Sequence, residues 1–132
     1  MNLEETVDHA IDILRRWEEG ETHFSLTTSG STGEPSEIKH SRSALQWSAE
    51  STLNTWFQTS HSRPNDGVIP PIQLCILPLN KAGGFMQLIR SAVWQSPMWI
   101  SAASASPFQF PLNAQNEAPW VLLLNEIGRA HV

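Results

Sequence analysis

The sequence is poor in cysteine, and Cys75 is the only one it contains. A single cysteine cannot form an internal disulfide, which fits a reducing compartment. Cys75 lies in the apolar run Leu74–Leu77. In such surroundings we expect a buried, inert thiol rather than a nucleophile.

Basic runs and long apolar segments are also lacking. The net charge of −5 argues against non-specific nucleic-acid binding, which needs a basic surface. No apolar stretch approaches the roughly 20 residues that span a bilayer. The acidic N-terminus does not resemble a signal peptide. These features predict a cytoplasmic protein with no nucleic-acid or membrane partner. No metal site is predicted, because metal-ligand spacing is absent from the histidines, which are His9, His23, His40, His61 and His131.

The first half of the chain has the sequence pattern of a helix followed by a β-hairpin. Apolar residues at helical spacing over Leu3–Trp17 predict an amphipathic helix that ends near Gly20. His23–Thr28 is a predicted strand that leads into a loop rich in Ser, Thr and Gly. Glu37–His40 is predicted to return as the second strand of the hairpin.

The remainder predicts alternating helices and strands. Ser43 is predicted to cap a helix, with Gln46 completing a capping box. The buried stripe of that helix is predicted to be Leu45, Ala49, Leu53 and Trp56. A helix is predicted to open at Gly83-Gly84, and the strands around it are predicted at Gln73–Leu77, Met98–Ile100 and Trp120–Leu124. This order predicts an α/β fold with a mainly parallel sheet flanked by helices.

The segment with the clearest chemical pattern is Thr27-Thr28-Ser29-Gly30-Ser31-Thr32-Gly33-Glu34-Pro35. Its two glycines permit backbone angles that other residues avoid, so successive amide N–H groups can turn towards one anion. The hydroxyls add further donors. A triphosphate needs such a nest, and Mg²⁺ usually shares its charge. By composition alone, the segment is more typical of a polar turn or a flexible linker.

The order of these residues resembles the signature Thr-Ser-Gly-Ser/Thr-Thr-Gly-x-Pro-Lys of the adenylate-forming (AMP-binding) superfamily, which includes acyl-CoA synthetases. A second block, Leu77-Pro78-Leu79-Asn80-Lys81-Ala82-Gly83-Gly84-Phe85, is similar to a downstream motif of that superfamily. The Arg90-Ser91 pair in the following helix resembles o-succinylbenzoate–CoA ligases of menaquinone biosynthesis. Together the two blocks cover roughly residues 22–101.

The resemblance implies an ATP-dependent acid–CoA ligase, which forms an acyl-adenylate and then a CoA thioester. Its expected ligands are ATP, Mg²⁺, coenzyme A and a small carboxylic acid, with o-succinylbenzoate the leading candidate. It implies that the ATP phosphates bind to Thr28, Ser29, Gly30, Ser31, Thr32 and Gly33. It also implies acyl-substrate contacts at Lys81, Gly83 and Arg90. The catalytic residues are expected downstream of this sequence.

Two departures from the family pattern leave an alternative open. Ser36 stands where the family has a lysine, and Asn80-Lys81 replaces an aromatic-histidine pair. Lys81 can pair with a second carboxylate of a dicarboxylic acid, or it can be a solvated lysine at a turn. The alternative function is a non-catalytic nucleotide- or anion-binding module that has lost the chemistry.

The end of the chain does not look like part of the family domain. Residues 1–126 are expected to be a partial AMP-binding N-terminal domain. Ile127–Val132 can be encoded by ATC GGA AGA GCA CAC GTC, which resembles a widely used sequencing adapter read in frame. We therefore expect residues 127–132 to be an adapter-derived tail that packs against nothing, on a truncated and inactive chain. Resequencing the source locus tests this expectation.

Overall fold

The computed structural model describes residues 2–29, 33–56, 70–101, 120–123 and 128–131. Within these ranges the chain forms three helices and six strands. Their order is α1 (Leu3–Glu18), β1 (His23–Ser29), β2 (Pro35–Ser41), α2 (Arg42–Trp56), β3 (Gln73–Cys75), α3 (Ala82–Trp94), β4 (Met98–Ile100), β5 (Trp120–Leu123) and β6 (Gly128–His131). No helix of the described ranges combines the length and apolar character needed to cross a bilayer.

Helix α1 is the predicted amphipathic helix. Asn2 caps it through a capping box, in which the Asn2 side chain accepts from the Glu5 N–H at 2.8 Å and the Glu5 carboxylate accepts from the Asn2 N–H at 3.1 Å. The helix ends before Gly20, whose φ of 86° suits glycine. The face that it buries is Leu3, Val7, Ala10, Ile13, Leu14 and Trp17.

Strands β1 and β2 form the predicted antiparallel hairpin, with a register that runs from His23–Ser41 to Ser29–Pro35. Phe24 and Leu26 are buried and face the core. The Phe24 ring lies 5.7 Å from the Trp17 ring and 6.1 Å from the Phe85 ring, measured between centroids. Aromatic contacts therefore join the base of the hairpin to both α1 and α3.

The predicted start of α2 is wrong by two residues. Ser41, rather than Ser43, occupies the capping position, because its hydroxyl accepts from the Ala44 N–H at 3.2 Å. Gln46 does not complete a capping box; its side chain donates to Glu50 one turn further on. The strand β2 runs directly into the helix, so the last strand residue is also the cap.

The predicted buried stripe of α2 is correct only at its beginning. Leu45 and Ala49 are buried, Leu53 is partly buried and Trp56 is 77% exposed. The helix packs on α3, and the indole N–H of Trp94 donates to the Ala49 carbonyl at 2.7 Å. Its contact with the core is thus made mainly by its first two turns.

Helix α3 connects β3 to β4, and the two strands pair in parallel. This arrangement confirms the α/β class. Strand β3 ends at Cys75, two residues before the predicted Leu77, whereas β4 has the predicted bounds. The Gln73 side chain donates to the Gln87 carbonyl and to the Ser91 hydroxyl, both at 2.8 Å, and so fixes α3 against β3.

Two further strands extend this sheet in antiparallel pairs, giving the order β3-β4-β5-β6. The expectation that the residues after Ile127 pack against nothing is wrong, since Gly128–His131 pairs with Trp120–Leu123. The physical reason is that β5 pairs with β4 on one side only, and its other edge offers backbone groups that need partners. The origin of residues 127–132 stays a prediction.

Candidate functional site

The candidate phosphate loop connects the two strands of the hairpin. Thr28 and Ser29 are the last residues of β1, and Gly33 lies two residues before the first residue of β2, Pro35. Gly30, Ser31 and Thr32 lie outside the described residues. The segment predicted from the sequence therefore begins in the last two residues of β1 and ends shortly before β2.

Gly33 has a backbone conformation that favours glycine. Its φ is 85°, and a Cβ atom added to it would meet no atom within 4 Å. The requirement for glycine at this position is consequently conformational rather than steric. A left-handed residue at this point turns the chain into β2, and it is compatible with a loop whose amide groups converge.

Thr28 makes a side-chain contact across the hairpin. Its hydroxyl donates to the Ser36 carbonyl at 3.2 Å. The two residues are paired in the register, one pair before its last pair, Ser29–Pro35.

The register also decides whether Lys39 can stand in for the lysine that Ser36 replaces. Side chains alternate between the two faces of a strand, so Ser36 shares a face with Thr28 and Leu26, whereas Lys39 lies on the opposite face. Lys39 is also about 10 Å further along β2. It cannot occupy the space that a lysine at position 36 would reach.

The second block forms a turn followed by the first turn of α3. The Lys81 N–H donates to the Pro78 carbonyl at 3.3 Å, and the Lys81 carbonyl accepts from the Phe85 N–H at 2.9 Å. Lys81 is the N-cap residue and its side chain is exposed. Its side chain therefore lies at the surface, at the start of the helix, and makes no capping hydrogen bond.

Gly84 allows this turn to lie directly over the helix. A Cβ atom at Gly84 would be 2.3 Å from the Pro78 carbonyl oxygen and 3.0 Å from the Leu77 carbonyl oxygen. At Gly83 the nearest atom would be the end of the Leu77 side chain, at 3.1 Å. Close packing of backbone on backbone thus depends on Gly84.

Arg90 is separated from the other two candidate acyl-site residues. It lies nine residues after Lys81 on α3, which is about 13 Å along a helix axis. Its side chain is half-buried, and its Nε atom is buried with no hydrogen-bond partner among the described residues. Lys81 and Gly83 lie together at the helix start, and Arg90 does not join them.

The structure contains a pocket that the sequence did not indicate. It has a volume of about 430 Å³ and lies at the base of the hairpin, at the end opposite the loop. The Arg42 guanidinium lies 3.9 Å from the centroid of the Trp17 ring and donates to the Trp17 carbonyl. The lining residues are Thr22, His23, Ser41, Arg42, Ser43 and Gln46.

Cys75 is buried, as predicted from its apolar neighbours. Burial raises the pKa of its thiol, although a backbone hydrogen bond at Leu77 acts in the opposite direction. A thiol that resists ionisation is a poor nucleophile.

A scan against models of protein families finds no match to this chain, and no curated protein matches it either. A solved structure does match: the crystal structure of an acyl-CoA synthetase (AMP-forming)/AMP-acid ligase II-like protein from Dyadobacter fermentans. The two are 26% identical, with a TM-score of 0.61 over 80% of this chain and 28% of that one. This similarity supports the adenylate-forming superfamily. The chain spans less than a third of the length of that neighbour.

Proposed function

We propose that this chain is the part of an ATP-dependent carboxylic acid–CoA ligase that holds the phosphates of ATP. The observation that carries the proposal is the position of the Thr28–Gly33 motif between two paired strands, with Gly33 in the left-handed conformation. The similarity to an AMP-forming acyl-CoA synthetase supports the same reaction class.

The loop would contribute electrostatic stabilisation. In this reaction a carboxylate oxygen attacks the α-phosphorus of ATP, the bond to the β-phosphate oxygen breaks, and pyrophosphate leaves with the electron pair. Amide and hydroxyl donors of Thr28–Gly33 would bind the β- and γ-phosphates and stabilise the charge that develops on pyrophosphate. Mg²⁺ would neutralise part of that charge, and coenzyme A would then displace AMP to give the thioester.

We further propose a dicarboxylic acid substrate, with o-succinylbenzoate of menaquinone biosynthesis as the leading candidate. The support is the exposed ammonium group of Lys81 at the start of α3, beside Gly83. A cation there can pair with the carboxylate that does not react. Arg90, whose Nε atom is buried without a hydrogen-bond partner among the described residues, would act from further along the helix.

The loop assignment is tested by nucleotide binding. Gly30→Val should prevent the loop conformation, and Thr32→Val should remove a donor, so both should weaken MgATP binding measured by calorimetry. Thr27→Val is the matched control, since it makes the same chemical change outside the proposed loop. Wild-type affinity in both loop variants would show that the loop does not bind ATP.

The reaction is tested by ATP–pyrophosphate exchange with a panel of acids, using the reading frame that resequencing of the source locus gives. We expect exchange that depends on an aromatic dicarboxylic acid and falls in Lys81→Met. A preference for long unbranched fatty acids would refute the substrate proposal. MgATP binding without exchange for any acid would instead identify a non-catalytic binding module, which the Ser36 and Asn80-Lys81 departures favour.

A further inference from the structure

Strand β3 is the outermost described strand of its sheet, and one of its residues directs its backbone groups away from β4. The strand order is β3-β4-β5-β6, so β3 has a described neighbour on one side only. The Cys75 carbonyl accepts from the Ser101 N–H at 3.0 Å, which places the backbone groups of Cys75 on the β4 side. Backbone groups of successive residues point to opposite sides of a strand. The N–H and the carbonyl of Leu74 therefore point to the free edge.

The side chain of Gln87, on α3, occupies this edge. Its Nε2 donates to the Leu74 carbonyl at 3.3 Å, at the point where a neighbouring strand would place a backbone N–H. Gln73 holds the same contact from the opposite direction, because its Nε2 donates to the Gln87 carbonyl at 2.8 Å. The Gln87 Oε1 atom is buried without a partner among the described residues. The Gln87 amide thus takes the place of one peptide group of an adjacent strand.

The edge lacks the charged side chains that commonly prevent two edges from pairing. Natural edge strands are protected by charges, by prolines or by elements that cover them. Residues 70–80 contain no charged residue, although Pro71 and Pro78 limit the length of the edge. Ile72 and Leu77, which flank β3, are 64% and 47% exposed. Two copies of this edge can therefore approach each other without repulsion between like charges.

We infer that the free edge of β3 is a strand-pairing surface that fits a second copy of this chain, and that the Gln87 amide keeps it closed. In an antiparallel pair centred on Leu74, that residue and the partner's Leu74 exchange both of their backbone hydrogen bonds. Ile72 then lies opposite the partner's Ile76, which forms an apolar cross-strand pair. Each copy gives up its Gln87 hydrogen bond when the pair forms. This self-association is independent of the proposed function, since it involves neither nucleotide nor acid.

Sedimentation velocity of the 132-residue chain over a series of concentrations tests this inference. Gln87→Met keeps the length of the side chain and removes the donor. One ordinary hydrogen bond is worth roughly fivefold, so the loss of both caps should raise the dimerisation constant roughly 25-fold. Gln46→Met is the matched control, because the Gln46 amide donates within its own helix, to Glu50. It should leave dimerisation unchanged.

Two further measurements locate the contact. Amide exchange at Leu74 should slow as the concentration of Gln87→Met rises, since pairing protects that N–H. Adding Ile72→Lys to Gln87→Met places a charge on the edge and should restore the monomer. Equal dimerisation of Gln87→Met and wild type would overturn the inference. Association that Ile72→Lys does not reverse, or that leaves exchange at Leu74 unchanged, would place the contact elsewhere and overturn it too.

The wild-type protein tests the closing contact without any substitution. The side-chain amide protons of Gln87 are engaged with a backbone carbonyl in a half-buried position, whereas Gln46 is exposed. Exchange of the Gln87 side-chain protons with solvent should therefore be slower than that of the Gln46 protons. Equal rates would show that Gln87 does not close the edge, and this comparison holds even if Gln87→Met fails to fold.

Discussion

The contact between Gly84 and the turn before α3 leads to a quantitative prediction. In Gly84→Ala the new Cβ atom would lie 2.3 Å from the Pro78 carbonyl oxygen and 2.8 Å from its carbon. Both are backbone atoms, so no side-chain rotation relieves the clash. The turn and the helix must separate by about 1 Å, the kind of backbone shift that costs about 1–3 kcal/mol in a packed protein.

The helical preference of alanine offsets only part of this cost. Alanine is favoured over glycine by about 1 kcal/mol in a helix interior, and by less in the first turn. We expect a net loss near the upper part of the range, about 2 kcal/mol. With about 2.1 cal/mol/K of unfolding entropy per residue, this loss lowers Tm by about 7 °C.

Gly83→Ala is the matched control for this prediction. The nearest atom to its Cβ would be the Leu77 Cδ1 at 3.1 Å, at the end of a side chain that is 47% exposed and can rotate away. We expect its stability to be unchanged or slightly raised. Thermal unfolding and urea titration at constant m-value measure both variants. Equal Tm values for Gly83→Ala and Gly84→Ala would refute the close-approach reasoning.

Three further substitutions test other parts of the fold. Ser41→Ala should cost about 1 kcal/mol in a urea titration by removing the α2 cap, and Ser43→Ala should cost less; equal losses would contradict the cap. Gly33→Ala should cost about 1 kcal/mol through its positive φ, and no loss would argue against that backbone angle. The hydrogen bond from Arg16 lowers the pKa of Glu21 in the folded protein. The contribution of this ion pair to stability is therefore present above the pKa of Glu21 in the unfolded chain, and it is lost as the pH falls through the pKa of Glu21 in the folded protein. The small difference in Tm between wild type and Glu21→Gln should therefore vanish in acid, and a difference that persists there would refute the ion pair.

The parts of the fold that the sequence predicted are those set by local pattern. The hairpin follows from two alternating apolar residues of its first strand, Phe24 and Leu26, with a turn-forming segment after them. The apolar run Met98–Ile100 has the length of a strand, and β4 was found with the predicted bounds. In each case the period of the sequence and the buried face agree.

The errors occurred where tertiary context decides between local signals. Ser41 and Ser43 are both good caps, and the choice depends on where β2 stops pairing. Trp56 has the spacing of a buried residue, but α3 covers only the first part of α2. Strand β3 ends at Cys75 because β4, its partner, ends at Ile100. None of these partners can be read from the neighbouring residues.

The candidate site was predicted from the order of its residues in the sequence and not from the distances between them in the fold. The motif placed Thr28 and Gly33 at a loop, yet it could not reveal that the Thr28 hydroxyl is engaged with Ser36. Likewise, Lys81 and Arg90 both belong to the block around α3, but the helical rise separates them. The distances between residues on different helices and strands become known only once the fold is known.

The alternation of side chains along β2 restricts how this hairpin can change in evolution or by design. Side chains at positions 36 and 38 of β2 lie on the same face of the hairpin as Thr28, whereas the side chain at position 39 lies on the opposite face. A positive charge on the Thr28 face can therefore be shifted along β2 only in steps of two residues. Repositioning Lys39 would need an inserted or deleted residue, which would also turn Ile38 and the neighbouring side chains to the other face. A single substitution at Ser36 is the shorter route to a cation beside Thr28.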